Sequence, residues 1–238
     1  MKLNVKFMML CMGIVIFGSM SSCGCDDAVE DAIDDLKDAA DQATTIEKEV
    51  EAITVTVKVD MGDLNYATVP AGGEEVKEEK EVTKIPSVPV PLADALGTAL
   101  ELAGQGDTGA TLEEKLEKLD KLYIGKVVYD IEENTITQPG LSLYLKISDT
   151  EEKDESKATP LITIPSIEPG EIGETEMTIA DEDIDPQGDI LMSGEFRLHI
   201  TPKFMVDTEK YPDAPEGKVD MKVTIYVMFV IKPLKGVI

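Results

Sequence analysis

Aromatic residues and cations are scarce in this chain. Its 238 residues contain no Trp, five Phe and six Tyr, and 22 Lys and Arg stand against 48 Asp and Glu, a formal charge of −26. There is one Arg, Arg197, and one His, His199. Nucleic acid is held by basic stripes and stacking aromatics, so this composition argues against it as a partner. The charge equally argues against docking on anionic lipid headgroups by electrostatics. A single His rules out multi-histidine metal sites and H-E-x-x-H, and no G-x-S-x-G occurs. A carboxylate-based hydrolase remains open because acids are abundant, although few aromatics are available to form a sugar platform. Against these absences, 42 % hydrophobic residues are enough to bury a core. At roughly 100–200 residues per domain, the length allows one large domain or two small ones.

The N-terminus reads as an export signal over residues 1–22. Lys2 and Lys6 precede the apolar run Phe7 to Gly18, whose 12 residues fall short of the roughly 20 needed to span a bilayer. Met20-Ser21-Ser22-Cys23 follows. This resembles the lipobox of bacterial lipoproteins, with Met20 where Leu is usual. The resemblance implies that Cys23 becomes the lipidated first residue and anchors the protein to a membrane. Cys25 fits less well, because Ser22 would then occupy the apolar position. Gly24 stands where an Asp would retain many lipoproteins in the inner membrane, which implies an outer-membrane protein facing the periplasm or cell surface. The alternative is an ordinary secretory signal with two leftover thiols. Cys11 leaves with the leader, so no disulfide staples the folded body.

Asp26 to Glu51 is acidic, with Val29, Ile33, Leu36, Ala40, Ala43 and Val50 on a near-helical spacing. It is expected to form a helical stalk over 23–51, with a short coiled coil as the alternative. From Ile53 the period switches to two, which starts a β-rich body over 52–238. Ile85 to Leu92 carries three prolines and is expected as an edge strand or polyproline segment; its rival reading is a linear docking motif. Helices are expected at Leu92–Ala103 and Leu112–Lys121, an insertion at 92–121, with Thr111 and Glu114 as a capping box. Strands are expected at Leu122–Ile131, Leu141–Ile147, Leu161–Ile164 and Glu176–Ile179, with a charged loop at Asp149–Lys157. Phe196, Leu198 and Ile200 alternate with Arg197, His199 and Thr201. The last strand, with Met221, Val223, Ile225, Val227, Phe229 and Ile231 on one face, reads as central. The class is mainly β, an antiparallel β-sandwich that is immunoglobulin-like by analogy, with short helices and an N-terminal acidic helix.

Three constellations could carry chemistry. Gly104 to Gly109 spells G-x-G-x-x-G with Asp130 ending a strand, but a helix precedes the glycines, so they read as an interhelical turn and not a dinucleotide site. Asp181, Asp183, Asp185 and Asp189 hold positions 1, 3, 5 and 9 of an acidic segment and are weak calcium ligands, since Pro186 and Met192 replace the Gly and Glu of an EF-hand. The alternative there is the start of a helix at Asp185-Pro186. His199 is expected to face solvent from the polar side of its strand. The sequence therefore points to a lipid-anchored envelope protein with a non-catalytic binding or scaffolding sandwich, whose partner is an envelope protein or surface ligand. Alternatives are a calcium-dependent adhesion module and a carboxylate-based envelope hydrolase.

Overall fold

The computed structural model describes residues 46–64, 76–106, 109–179 and 185–232. All belong to the second of two compact units, Thr45–Ile238. The leader, Cys23, Cys25, the expected helix as far as residue 45, Asp181 and Asp183 lie outside the described residues. Among the described residues no helix is long and apolar enough to cross a membrane.

Period-two alternation forms the strands. They are β1 (Ile46–Asp60), β2 (Lys77–Glu81), β3 (Val88–Pro91), β4 (Leu119–Asn134), β5 (Leu141–Ser148), β6 (Thr159–Ile167), β7 (Gly173–Thr178), β8 (Glu195–Asp207) and β9 (Lys218–Ile231). In β9 the odd-numbered residues from Val219 to Ile231 are buried, while Lys218, Asp220, Lys222 and Thr224 point the other way. One sheet runs β1-β9-β4-β7, so β9 is central as its two-sided apolarity implied. The other runs β2-β8-β5-β6, with β3 also on β8. Every pairing is antiparallel. The buried faces of both sheets form one core cluster, with Phe196, Phe204 and Phe229 among its largest fully buried side chains. Each such side chain contributes roughly 1.5–3 kcal/mol.

The pairings are nested: β1 with β9, β2 and β3 with β8, β4 with β7, β5 with β6. That is one long hairpin, rolled up so that β9 also meets β4 and β8 also meets β5. With β2 and β3 taken as one strand interrupted at 82–87, the order is an eight-stranded jelly roll. The expected antiparallel sandwich is present. The immunoglobulin analogy holds for the two layers and not for the connectivity, because that fold orders its strands differently.

Two expected boundaries move. Ile46–Glu51, assigned to the acidic helix, is instead the start of β1, paired with Ile231 to Tyr226 of β9. The body therefore begins at Ile46 and not at Ala52. The helices are α1 (Ala93–Leu102), α2 (Leu112–Leu116) and α3 (Asp185–Leu191). α2 has the expected Thr111–Glu114 capping box but ends five residues early, because Leu119–Lys121 already belong to β4. The Ile85–Leu92 segment supplies β3, an edge strand on β8 whose Pro89 and Pro91 remove donors there. α3 carries the fully buried Gln187, whose Oε1 accepts from Ile124 N–H at 3.3 Å. β7 pairs with β4 only from Lys126 onward, so Gln187 serves a β4 donor that the sheet leaves over.

Candidate functional site

The polar face of β8 carries Arg197, His199 and Thr201, and β5 places Ser148, Lys146 and Tyr144 opposite them. Over this face lies a cleft of about 580 Å³. Glu81 at the end of β2 and Thr83 to Ser87, in the interruption before β3, form one wall; Lys153, Asp154 and Glu155 form the other. The chain's single Arg and single His thus share one floor.

The second wall belongs to residues 149–157, which fold back instead of extending into solvent. Ser148 Oγ lies 3.1 Å from both the Asp149 and Glu152 carbonyl oxygens, and 2.9 Å from His199 Nε2. Arg197 Nε donates to the Thr150 carbonyl at 2.9 Å. Asp154 caps a 3-10 turn at Glu155–Lys157, accepting from Ser156 N–H at 3.0 Å and Ser156 Oγ at 2.7 Å. Lys146 holds Glu155 at 3.1 Å, and Lys157 holds Glu152 at 2.9 Å. The charges that marked this stretch as a loop are the ones that fasten it down. On the first wall, Arg197 Nη1 reaches Ser87 Oγ at 3.2 Å, and Val82 N–H donates to Pro202 O at 3.1 Å.

His199 corrects an expectation. It occupies the polar face of its strand as foreseen but is only 4 % exposed, because residues 149–157 cover it. Period two reports the face of a strand, not what lies over that face. Burial pulls the His199 pKa below its ordinary value; Arg197 and Lys146 act in the same direction, while Glu155 and Glu152 oppose them. The ring is therefore neutral at pH 7. Two carbonyl oxygens, which can only accept, flank Ser148 Oγ; with its one proton assigned to them, its oxygen accepts from Nε2–H and Nδ1 carries the lone pair.

Two carboxylates of the cleft, Asp154 and Glu155, are shifted towards the ionised form. For Glu155 burial alone would raise the pKa, but hydrogen bonds from Thr201 and Lys146 outweigh it and the net shift is downward. Asp154 is lowered mainly by the Ser156 hydroxyl and N–H. The sequence singled out neither Ser148 nor Glu155, nor Lys84 and Ser87. The one available signal was Asp154-Glu155-Ser156, a side-chain-capped turn pattern inside the charged stretch.

The other expected ligands are not brought to this cleft. Asp185 opens α3 and Asp189 is exposed four residues later in the same helix, as the Asp185-Pro186 start signal implied. Among the described residues no group of three or more His, Cys, Asp or Glu is placed to hold a metal ion. Gly104 follows α1, consistent with an interhelical turn, with φ +72°.

No family profile matches the chain, and no curated protein matches it. Among solved structures it is similar to the decameric BFDV capsid protein, at 10 % identity over 78 % of this chain and 98 % of that one, TM-score 0.33. It is also similar to the Kashmir bee virus empty particle at acidic pH, at 15 % identity over 80 % and 95 %, TM-score 0.28. The Israel acute paralysis virus pentamer matches at 15 % identity over 79 % and 92 %, TM-score 0.28. At these TM-scores the likeness carries no argument, and the jelly-roll order rests on the strand pairing itself.

Proposed function

We propose that this is a lipid-anchored envelope protein whose jelly-roll body is a binding module and not an enzyme, with the cleft over Arg197 and His199 as the binding site. The anchor rests on the lipobox resemblance at Met20-Ser21-Ser22-Cys23. The binding role rests on one observation: His199 on the cleft floor is hydrogen-bonded to Ser148, a buried serine outside the cleft lining that is tied to the main chain of residues 149–157. With the Ser148 proton assigned to the flanking carbonyls of Asp149 and Glu152, His199 gives its Nε2–H to Ser148. A nucleophilic serine would need that hydroxyl proton to face the imidazole. A carboxylate hydrolase needs one carboxyl kept protonated as general acid, whereas Asp154 and Glu155 are both shifted towards the ionised form. What is left is a fixed floor with charged walls, which suits recognition.

Photo-crosslinking in intact cells tests this reading. A photoreactive side chain at position 84, on the cleft wall, is expected to give specific adducts in the membrane fraction. The same group at Glu174, exposed on β7 at the edge of the other sheet, is expected to give none. Equal adduct patterns from both positions would show that the cleft is not the recognition site.

A further inference from the structure

The cleft differs from other concavities of the sandwich in its charge. A groove of about 590 Å³ at α2 is lined by Leu112, Leu116, Leu119 and Met192 together with Glu113, Glu117, Ser193 and a single cation, Lys232. The recess at Asp60, Asp63 and Asp220 holds Lys58 and Lys218, each paired with a carboxylate. The cleft over Arg197 has Lys84 on one wall and Lys153 on the other, both exposed, and neither takes part in an ion pair among the described residues. Arg197 uses Nε and Nη1 on Thr150 and Ser87, so its Nη2 donors meet no acceptor among the described residues. Three cations, Lys84, Lys153 and Arg197, face three carboxylates, Glu81, Asp154 and Glu155, here, in a chain with more than twice as many acids as cations, and Glu155 is already paired with Lys146 behind it.

The floor also offers an acceptor. His199 Nδ1 makes no hydrogen bond among the described residues, while no buried side-chain nitrogen or oxygen there lacks a partner. Nδ1 is therefore open to the cleft, with its lone pair outward. Glu81 and Asp154 add acceptors at the rim. Donors of positive charge thus converge with neutral and anionic acceptors in one cavity. We infer that the cleft binds a small carboxylate that also carries hydroxyl groups, an acidic sugar by chemical class. The Arg197 Nη2 donors and the two lysine ammoniums take the carboxylate. Nδ1 and the rim carboxylates accept from the hydroxyls. This ligand class rests on the binding-module reading of the same cleft.

The single His and single Arg make the test direct, since each gives one unambiguous NMR signal. The full chain, labelled with 13C and 15N, is titrated with D-glucuronate and with D-glucose. Glucuronate is expected to shift the His199 ring and Arg197 Nε–H signals saturably. Glucose, which has no carboxylate, is expected to bind at least ~10-fold more weakly. Lys84→Ala with Lys153→Ala removes two exposed charges, and is expected to weaken glucuronate binding about tenfold with the thermal midpoint unchanged. A linear, non-saturating response would overturn the ligand class, as would equal responses to both sugars or undiminished binding by the double variant. New sugar signals growing in during the titration would uphold the ligand class and overturn the non-catalytic reading instead.

Discussion

His199 Nε2 and Ser148 Oγ sit 2.9 Å apart on neighbouring strands, 51 residues apart in sequence, and together they hold residues 149–157 against the sheet. Both are buried, at 4 % exposure each. Truncating the ring leaves a cavity and a buried hydroxyl short of a partner. His199→Ala is therefore expected to lower stability by about 1–3 kcal/mol, measured as a shift in urea midpoint. A change below about 0.5 kcal/mol, typical of a surface position, would show that the ring does not act as a fastener.

The same ring carries a pH dependence. Its folded pKa lies below the unfolded value because burial disfavours the charged form, so the folded state binds fewer protons than the unfolded one. Its contribution is complete above the unfolded pKa of about 6.5 and is lost as pH falls through the lowered folded value. Asp154 and Glu155 are also lowered, but their contribution begins to fall only as pH drops towards the ordinary carboxyl range, near 4. Wild type should thus lose more stability than His199→Gln between pH 8 and 5 in denaturant titrations. Parallel pH profiles would contradict the neutral, buried ring.

Gly217 is required by geometry. Its φ is +96°, and a Cβ there would overlap the Thr135 carbonyl, close to where β9 meets the end of β4. The neighbouring contacts Thr135 N–H to Lys218 O and Met61 N–H to Gly217 O, both 2.9 Å, prevent the turn from moving away. Gly217→Ala is expected to cost at least ~3 kcal/mol or to abolish folding, read from denaturant midpoint and soluble yield. A near-neutral effect would mean that this backbone relaxes freely.

The start of β1 makes a further prediction. Ile46 and Val50 are half-buried against the core, opposite Ile231 and Val227 of β9. A fragment starting at Ala52 should be less stable than one starting at Ile46 by about 2–3 kcal/mol, from two partly buried side chains and the lost strand pairing. Equal urea midpoints would place the body's start at Ala52 after all.

Much of the fold was legible in the sequence, and its failures have physical causes. β9 and the Thr111–Glu114 cap were readable because strict alternation and a capping box are local signals. Val50 misled because it continues the near-helical spacing of Val29 to Ala43; the alternation of Glu47, Glu49 and Glu51 was the better guide. Leu119 falls in the expected helix because it follows Leu112 and Leu116 at helical spacing, while Leu122 reads as a strand start. A β-bulge between Leu119 and Lys121 lets both face the core from a strand. The cleft was illegible because its walls come from residues 81–87 and 153–155, which meet β8 only once the long hairpin is rolled. Arg197 and His199 were visible as a pair on one strand face, but not what covers them.

The anchor at Cys23 is the central claim, and incorporation of labelled palmitate tests it most directly. One acyl chain binds a membrane only marginally at ~0.8 kcal/mol per buried CH₂, but the lipoproteins that the lipobox resembles carry two or three on one Cys, so anchoring should survive a carbonate wash. A body within a chain of charge −26 gains no compensating attraction from anionic headgroups. Wild type and Cys25→Ser should incorporate the label and stay with washed membranes, whereas Cys23→Ser should do neither. A Cys23→Ser protein that still takes up label, or wild type that takes up none, would contradict the account.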